Sequence, residues 1–189
     1  MNLSNIQSVI VIAVSHGEAE SFDGFPNFHE EKKDRKLLTE AGKAQVKKLS
    51  EHFVIKGLKV DTIITSNFKR ARQTAIILGD HLGIQKRYIL STDSLVEFNE
   101  SEELVFQTSQ DKAIFLASDR ISSWFLSFVN NPLNNGKTIL LVTHGLNIES
   151  MIRCATSIDD QIKVDPATYT EFIFKEGIIC ANLMNCKVD

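Results

Sequence analysis

The chain has 189 residues, which is the length of a single domain with a substantial core. Hydrophobic residues make up 43% and charged residues 24%, as in an ordinary globular protein. Its 21 basic and 24 acidic residues give a formal net charge of −3, which argues against nucleic acid as a partner but allows a local basic pocket. We therefore predict one domain over residues 1–189.

The first hydrophobic run, Val9–Val14, is predicted to be a strand. It is too short to span a bilayer, lacks the basic leader of a signal peptide, and ends in His-Gly instead of a small-residue cleavage site. The cysteines, Cys154, Cys180 and Cys186, are odd in number and form no CxxC motif, as is typical of a cytosolic protein with free thiols. These features predict a cytoplasmic protein without a membrane partner.

A polar, irregular segment follows as far as Lys36. Its charge cluster, residues 30–36, predicts a solvated loop. Its three phenylalanines are expected either to pack the loop onto the rim of the sheet or to line a substrate pocket. They are Phe22, Phe25 and Phe28.

Helical and strand patterns then alternate along the chain. Thr39 is the expected N-cap of a helix that ends near Gly57. The run Val60–Ser66 predicts a second buried strand, and Ser66 or Asn67 would cap the helix behind it. The predicted elements of the second half are a short strand near residues 86–90, a loop containing Leu95–Glu100, an amphipathic helix over Gln110–Asn131, the strand Thr138–Val142, a helix over residues 146–155, and two final strands, Tyr169–Phe174 and Ile178–Met184.

This alternation predicts an α/β three-layer sandwich, with a mostly parallel central sheet flanked by helices. Two of its strands end alike, because Val9–Val14 runs into Ser15–Gly17 and Thr138–Val142 runs into Thr143–Gly145. Each ending is a hydroxyl residue, a histidine and a glycine. Ligands bind at the carboxyl edge of such sheets, so we expect the two histidines to share one site.

A basic residue at an unusual place supports an anion site. Arg70 falls in the first turns of the predicted helix behind Ser66. The N-terminus of a helix carries partial positive charge, so a cation there is unfavourable unless an anion is present. Arg72, in contrast, is expected to face solvent.

The absence of several catalytic motifs reduces the number of reactions that the two histidines and the arginine could carry out. The chain has no HExxH zinc motif, no G-x-S-x-G nucleophile elbow and no P-loop. Phosphoryl transfer onto histidine remains. In that reaction an imidazole attacks phosphorus while cationic and donor groups hold the equatorial oxygens.

Five short motifs follow one another at Ser15–Gly17, Leu38–Gly42, Ser66–Ala75, Leu95–Glu97 and His144–Gly145. In these motifs and their order, the chain resembles the histidine phosphatase superfamily, also called phosphoglycerate mutase-like. The family patterns are Arg-His-Gly, Leu-Thr-x-x-Gly, Ser-x-Leu-x-Arg-Ala-x-x-Thr-Ala, Leu-x-Glu and His-Gly. The third motif has a phenylalanine in place of the leucine. The matches cover nearly the whole chain.

The resemblance implies a phosphoglycerate mutase-like fold and a catalytic role for four residues. His16 would be the nucleophile that carries a transient phosphohistidine. Arg70 would clamp phosphate oxygens with its planar fork. His144, protonated when phosphate is bound, would hold the transferring group. Glu97 would protonate the leaving oxygen and then activate water.

The resemblance also implies that Ser15, Gly17 and Glu18 contribute to substrate binding. Glu18 is a second candidate for the acid, because it lies close to the nucleophile in sequence. No metal and no organic cofactor is implied.

The main departure from the family is Ser15, which stands where the first motif has arginine. Loss of one preorganised donor typically costs about 10²–10³ in rate, or on the order of 3–4 kcal/mol. A serine hydroxyl offers one neutral hydrogen bond, which is weaker than a charged fork. Lys32, Lys33 and Arg35 in the polar segment are candidates to replace the missing cation.

The sequence therefore predicts a small phosphomonoester hydrolase. The chain is short for the mutase branch and has no evident insertion that would enclose a phosphoglycerate, and its His-Gly-Glu-Ala string resembles small phosphohistidine phosphatases. The partner would be a phosphorylated small molecule or a phosphoprotein. The alternative is an impaired family member that binds phosphate or a phosphoprotein, which Ser15 favours and the presence of a general acid disfavours.

Overall fold

The structure, a computed structural model, describes residues 8–20, 36–156, 158 and 162–188. Six strands form one sheet in the order β3-β2-β4-β1-β5-β6. β1 to β4 are parallel, and β5 is antiparallel to both of its neighbours. The strands are Ser8–Ser15 (β1), Thr62–Ser66 (β2), Ile89–Thr92 (β3), Thr138–Thr143 (β4), Tyr169–Lys175 (β5) and Ile178–Cys186 (β6).

Helices cover both faces of this sheet, so the predicted α/β class with a mostly parallel sheet is confirmed. Short 3-10 turns lie at Lys86–Tyr88, Asp93–Leu95 and Pro132–Asn134. The α-helices in the part of the chain that the structure describes are Glu40–Ile55 (α1), Lys69–Leu82 (α2), Glu100–Phe106 (α3), Gln110–Val129 (α4) and Gly145–Thr156 (α5).

The core lies in two layers because side chains alternate across each strand. Val11 and Ala13 of β1 pack on one face with Phe125 of α4 and Met151 of α5. Ile12 packs on the opposite face with residues of α1 and α2. Burial on both faces explains why β1 and β4 are continuous apolar runs.

The pairing of β1 with β4 brings the two histidines together. Ser15 lies opposite Thr143 in the parallel register, so both chains leave the sheet at the same level. The His16 amide donates to the Thr143 carbonyl at 3.1 Å. β2 is the next neighbour of β4 and ends at Ser66, which places the start of α2 at the same edge.

Thr39 caps α1 as predicted, since its hydroxyl accepts from the Gly42 amide. The predicted capping of α2 was wrong. Its N-cap is Phe68, which has no side-chain capping bond. Ser66 lies two residues before this N-cap, and its hydroxyl accepts from the backbone amide of Phe68 at 3.4 Å and lies 2.9 Å from Nε2 of His144.

The segment between β3 and α4 also differs from the prediction. The short strand begins only at Ile89, because residues 86–88 form a 3-10 turn. The predicted loop contains α3, whose N-cap residue Asn99 forms a capping box with Glu102. Asn-x-x-Glu is an N-terminal helix signal that the sequence analysis overlooked.

Helix α4 ends at Val129, two residues before the predicted end. Ala113 of this helix is buried, whereas its neighbour Ile114 is 40% exposed. Trp124 is partly buried against the core.

Several sequence predictions fall outside the described residues. They concern Phe22, Phe25 and Phe28 and the candidate cations Lys32, Lys33 and Arg35. Among the described residues, no helix is both long and apolar enough to cross a bilayer. The three cysteines form no disulfide.

A close backbone contact joins the start of α1 to the chain behind β1. The Thr39 amide donates to the Glu18 carbonyl at 3.0 Å. Gly42 lies against the same carbonyl, because a Cβ at this position would stand 1.9 Å from the Glu18 oxygen. Only glycine allows this approach, which orients the residues that follow His16.

We expect Gly42→Ala to lower the free energy of unfolding by about 1–3 kcal/mol, because the Glu18 backbone must move to make room. Helix propensity alone predicts the opposite sign, a gain of about 1 kcal/mol. Urea unfolding measures the difference. Lys43→Ala, at an exposed neighbour, is the control and should change stability by less than about 0.5 kcal/mol. A Gly42→Ala protein as stable as wild type would contradict the contact.

Candidate active site

The carboxyl edge of the parallel strands brings together the four residues that the resemblance implied to be catalytic. His16 follows β1, and His144 follows β4. Arg70 is the second residue of α2, behind β2. Glu97 follows the 3-10 turn behind β3. Four neighbouring strands thus each deliver one side chain to one place.

Arg70 is the common partner of the other three side chains. Its Nε donates to Nε2 of His16 at 3.0 Å. Its Nη2 donates to Nδ1 of His144 at 3.1 Å and to Oε2 of Glu97 at 3.2 Å. The Arg70 side chain is only 8% exposed, against 36% for Glu97. Its Nη1 makes no hydrogen bond to any residue that the structure describes, so this amino group can still donate to an anion.

These contacts determine the tautomers of both imidazoles. The guanidinium can only donate, so Nε2 of His16 and Nδ1 of His144 must each present a lone pair to it. Nδ1 of His16 lies 2.7 Å from the Gly17 carbonyl, which can only accept, and therefore carries the hydrogen. Nε2 of His144 correspondingly donates to the Ser66 hydroxyl. Each ring thus turns one unprotonated nitrogen towards Arg70.

Burial and the adjacent guanidinium disfavour a charge on either imidazole. Burial first, and Arg70 second, lower the pKa of His16 from its ordinary 6.5 to about 4. The same two causes, with smaller effects of His16 and Arg120, hold the pKa of His144 well below its usual range. Burial also lowers the pKa of Arg70, an effect that Glu97 opposes. Without a bound anion, both histidines are therefore neutral at neutral pH.

Phe68 forms an apolar wall beside the cluster. Its ring centroid lies 5.2 Å from that of His144, in an edge-on arrangement. The guanidinium carbon of Arg70 stands 4.9 Å from the same centroid. A cation over an aromatic face is stabilised by the ring quadrupole. The phenylalanine that replaces the leucine of the third motif therefore contacts the site directly.

Gly17 holds the backbone behind His16 against α1 and α2. Its amide donates to the Thr74 hydroxyl at 3.2 Å. A Cβ at Gly17 would stand 2.6 Å from the Gly42 carbonyl oxygen, so a larger residue does not fit. The peptide that orients His16 is consequently fixed on two sides.

The other two predicted binding residues are placed differently. Ser15 is 4% exposed, and its amide donates to the Thr168 carbonyl at 3.0 Å. Glu18 is exposed, and its carboxylate accepts from the Thr39 hydroxyl at 2.7 Å. Glu18 is thus engaged at the start of α1, whereas Glu97 contacts Arg70.

One cation of the polar segment is described by the structure, namely Lys36. Its positive charge is among the smaller causes that lower the pKa of His16. No group of three or more histidine, cysteine or acidic side chains that could hold a metal ion occurs in the described residues.

The side chains that support the segment of Glu97 were not predicted from the sequence. They are Arg120 in α4, Glu102 in α3 and Asn147 in α5. The Asn99–Glu102 capping signal was readable in the sequence. Nothing in the local pattern of Arg120 or Asn147 distinguishes these residues from other polar helix positions.

Comparisons with known proteins identify the family and the fold of the chain. The family model "Histidine phosphatase superfamily (branch 1)" matches residues 11–114. A phosphoglycerate mutase structure from Bacillus anthracis str. Sterne is 17% identical, with a TM-score of 0.72 over 95% of this chain and 94% of that chain. A search of the curated proteins found no match.

Two phosphatase structures share the fold as well. A phosphoserine phosphatase from Entamoeba histolytica, in complex with 3-phosphoglyceric acid, is 20% identical, with a TM-score of 0.69 over 94% of this chain and 97% of that chain. The protein histidine phosphatase SixA, complexed with tungstate, is 16% identical, with a TM-score of 0.64 over 92% of this chain and 94% of that chain. These likenesses establish the fold, and the family model matches more than half of the sequence. The chain therefore belongs to the histidine phosphatase superfamily, branch 1.

Proposed function

We propose that this protein is a phosphomonoester hydrolase that forms a phosphohistidine on His16 and needs no metal or cofactor. The observation that carries the proposal is the convergence of two imidazole lone pairs and one carboxylate on the buried guanidinium of Arg70. A nucleophile, an anion-binding cation and a proton donor are thereby within reach of one phosphoryl group. Membership of the superfamily supports this assignment.

In the first step, the lone pair on Nε2 of His16 attacks phosphorus, and the bond from phosphorus to the ester oxygen breaks. Glu97, in its protonated form, gives its proton to that oxygen, which leaves as an alcohol. The hydrogen bond from Nδ1 of His16 to the Gly17 carbonyl at 2.7 Å supports this role, because it orients the ring and stabilises the positive charge that develops on it.

In the second step, water attacks the phosphohistidine. The Glu97 carboxylate takes a proton from the water, the bond from phosphorus to nitrogen breaks, and the electron pair returns to Nε2 of His16. Inorganic phosphate leaves. One carboxyl group thus acts as acid and then as base, which suits a side chain that is partly open to solvent.

Arg70 and His144 hold the phosphoryl oxygens in this proposal. The guanidinium exchanges its bonds to the imidazoles for bonds to phosphate, and Nη1, which has no hydrogen bond to a described residue, adds a further donor. A phosphate dianion beside His144 raises the pKa of that residue, so the imidazole becomes protonated and donates through Nδ1. Bound phosphate thereby induces the positive charge on His144 that stabilises the phosphate in the site.

The second candidate function is binding of phosphate or a phosphoprotein without useful turnover. Ser15 favours this reading, because it replaces a charged donor by a neutral, buried hydroxyl. The contact between Glu97 and Arg70 favours turnover, because a pure binder needs no acid beside the anion. Binding of phosphate or vanadate, with no release of alcohol from a phosphomonoester, would support the binding function over the hydrolase.

We expect His16→Ala to abolish hydrolysis of p-nitrophenyl phosphate and of a labelled phosphate donor. Wild-type protein quenched during turnover should carry acid-labile, base-stable phosphate, and His16→Ala should carry none. His81→Ala, at an exposed histidine of α2, is the control and should keep wild-type activity and labelling. Equal turnover by wild type and His16→Ala would show that the assignment is wrong.

We expect Ser15→Arg to raise kcat/KM by about tenfold or more, because it restores a charged donor whose loss typically costs 10²–10³. Ser15→Met has a long but neutral side chain and controls for the added volume at this buried position. Thermal unfolding reports whether both variants fold. Folded Ser15→Arg protein without a gain would contradict the view that the missing arginine limits the rate.

The neutral state of His16 predicts how stability depends on pH in phosphate-free buffer. The unfolded chain binds the His16 proton more tightly than the folded chain, so stability falls as the pH drops below 6.5 towards about 4. Between about pH 7.5 and pH 5, titration of His16 should lower the free energy of unfolding by roughly 2 kcal/mol. Urea unfolding should show a smaller decrease in this free energy for His16→Asn, whose side chain does not titrate. Equal losses in the two proteins would contradict the lowered pKa.

A further inference from the structure

The segment that carries Glu97 is held by side chains from three other elements. Thr143, at the end of β4, and Asn147, in α5, both donate to the Leu95 carbonyl at 2.9 Å. Asn147 also reaches the Val96 carbonyl at 3.2 Å. These bonds connect the Glu97 segment to the chain on both sides of His144, but they stop before Glu97 itself.

Arg120 of α4 contacts three backbone carbonyls of this segment. Its Nη1 donates to the Ser94 carbonyl at 3.0 Å. Its Nη2 donates to the Val96 carbonyl at 3.0 Å and to the Glu97 carbonyl at 3.3 Å. Irregular backbone needs such donors, because it has no helix or sheet partner. Among the described residues, Arg120 is the only side chain that donates to the Glu97 carbonyl.

Glu102 in turn fixes Arg120. Its two carboxylate oxygens accept from Nε at 2.7 Å and from Nη2 at 3.0 Å, which is a two-point contact between planar groups. The Glu102 side chain is 6% exposed and that of Arg120 is 22% exposed. Glu102 also accepts from the Asn99 amide at 2.8 Å, so the capping box of α3 belongs to the same network.

The contacts therefore form a continuous path to the cluster around Arg70. The path runs from Glu102 through Arg120 to the backbone of Glu97, and from the Glu97 carboxylate to Arg70 at 3.2 Å. A general acid must lie within hydrogen-bonding reach of the leaving oxygen, and a shift of about 1 Å can cost about 10²-fold in rate. Glu97 is 36% exposed, so its own packing does little to restrict it.

We propose that Arg120 and Glu102 are positioning residues that hold Glu97 in place for proton transfer to the leaving group. Arginine is required because its planar guanidinium donates to three carbonyls and one carboxylate at once, whereas a lysine ammonium has three donors and no planar geometry. A buried ion pair is weak evidence for a role in stability, since apolar residues often stabilise such a position equally well. The inference rests on the proposed function, because it assigns the acid step to Glu97.

The test compares two substrates that differ in their need for an acid. An alkyl phosphate has a basic leaving oxygen that must be protonated, whereas nitrophenolate leaves readily without a proton. The constant kcat/KM reports the steps up to phosphorylation of His16, in which Glu97 acts as acid. Glu97→Gln should therefore lower kcat/KM for the alkyl phosphate by about 10²-fold or more, and much less for p-nitrophenyl phosphate.

We expect Arg120→Lys to reproduce this pattern, with a loss of about 10–100-fold for the alkyl phosphate and a loss of less than about threefold for p-nitrophenyl phosphate. Vanadate affinity should stay close to that of wild type, because Arg70 and His144 are unchanged. Arg153→Lys is the matched control, since Arg153 forms an arginine–glutamate pair with Glu149 within α5 at 3.0 Å. It should affect both substrates equally and weakly.

Glu102→Gln provides a second route if Arg120→Lys does not fold. The amide oxygen can still accept from Asn99, but the charged fork contact is lost, so the same substrate-dependent loss is expected. Equal losses for both substrates in the folded variants would overturn the positioning role and leave the proposed function intact. Turnover that does not depend on His16 would overturn the proposed function, and the inference with it.

Discussion

The buried guanidinium of Arg70 is the group on which the site depends. A charge removed from water is costly unless hydrogen bonds and an opposite charge replace the solvent. Here two imidazole nitrogens and the Glu97 carboxylate do so. These partners come from segments that follow three different strands, and Arg70 itself follows a fourth, so the sheet must hold its register for Arg70 to be satisfied. The parallel pairing that places Ser15 opposite Thr143 is therefore a requirement of the site as well as of the core.

Burial and the same charge together set the chemical state of the histidines. Burial first, and Arg70 second, lower the pKa of both rings and keep them neutral, and a lone pair on His16 is what a nucleophile needs. In the proposed mechanism, an entering phosphate brings negative charge beside the Arg70 guanidinium, the two neutral rings and Nη1 of Arg70, which has no hydrogen bond among the described residues. In this proposal, Arg70 and His144 then provide the positive charge, and Ser15 stands where the first motif of the family has a further arginine. Lys36 acts on His16 from the polar segment and adds to the positive potential.

Local pattern predicted much of the fold. The apolar runs of β1 and β4 are buried on both faces, and each ends at a His-Gly pair. Both strands and their common edge were therefore predictable from the local sequence pattern. The ends of the helices and strands were predicted less accurately. Ser66 looked like a helix cap because a hydroxyl before a helix usually is one. It is not the N-cap of α2, and its hydroxyl lies 2.9 Å from Nε2 of His144, which is a contact between distant parts of the chain.

By itself, the sequence determined the strand–histidine endings, the motif order that identified the family, and the four side chains that the structure brings to one sheet edge. These features are local, because strand burial and helix starts depend on residues a few positions apart. Only the tertiary structure decided which nitrogen of each imidazole faces Arg70, and that Arg120 reaches back to the carbonyls of residues 94–97. Those contacts join residues far apart in the chain. Their partners are irregular backbone groups that acquire a fixed position only when α3, α4 and α5 pack together.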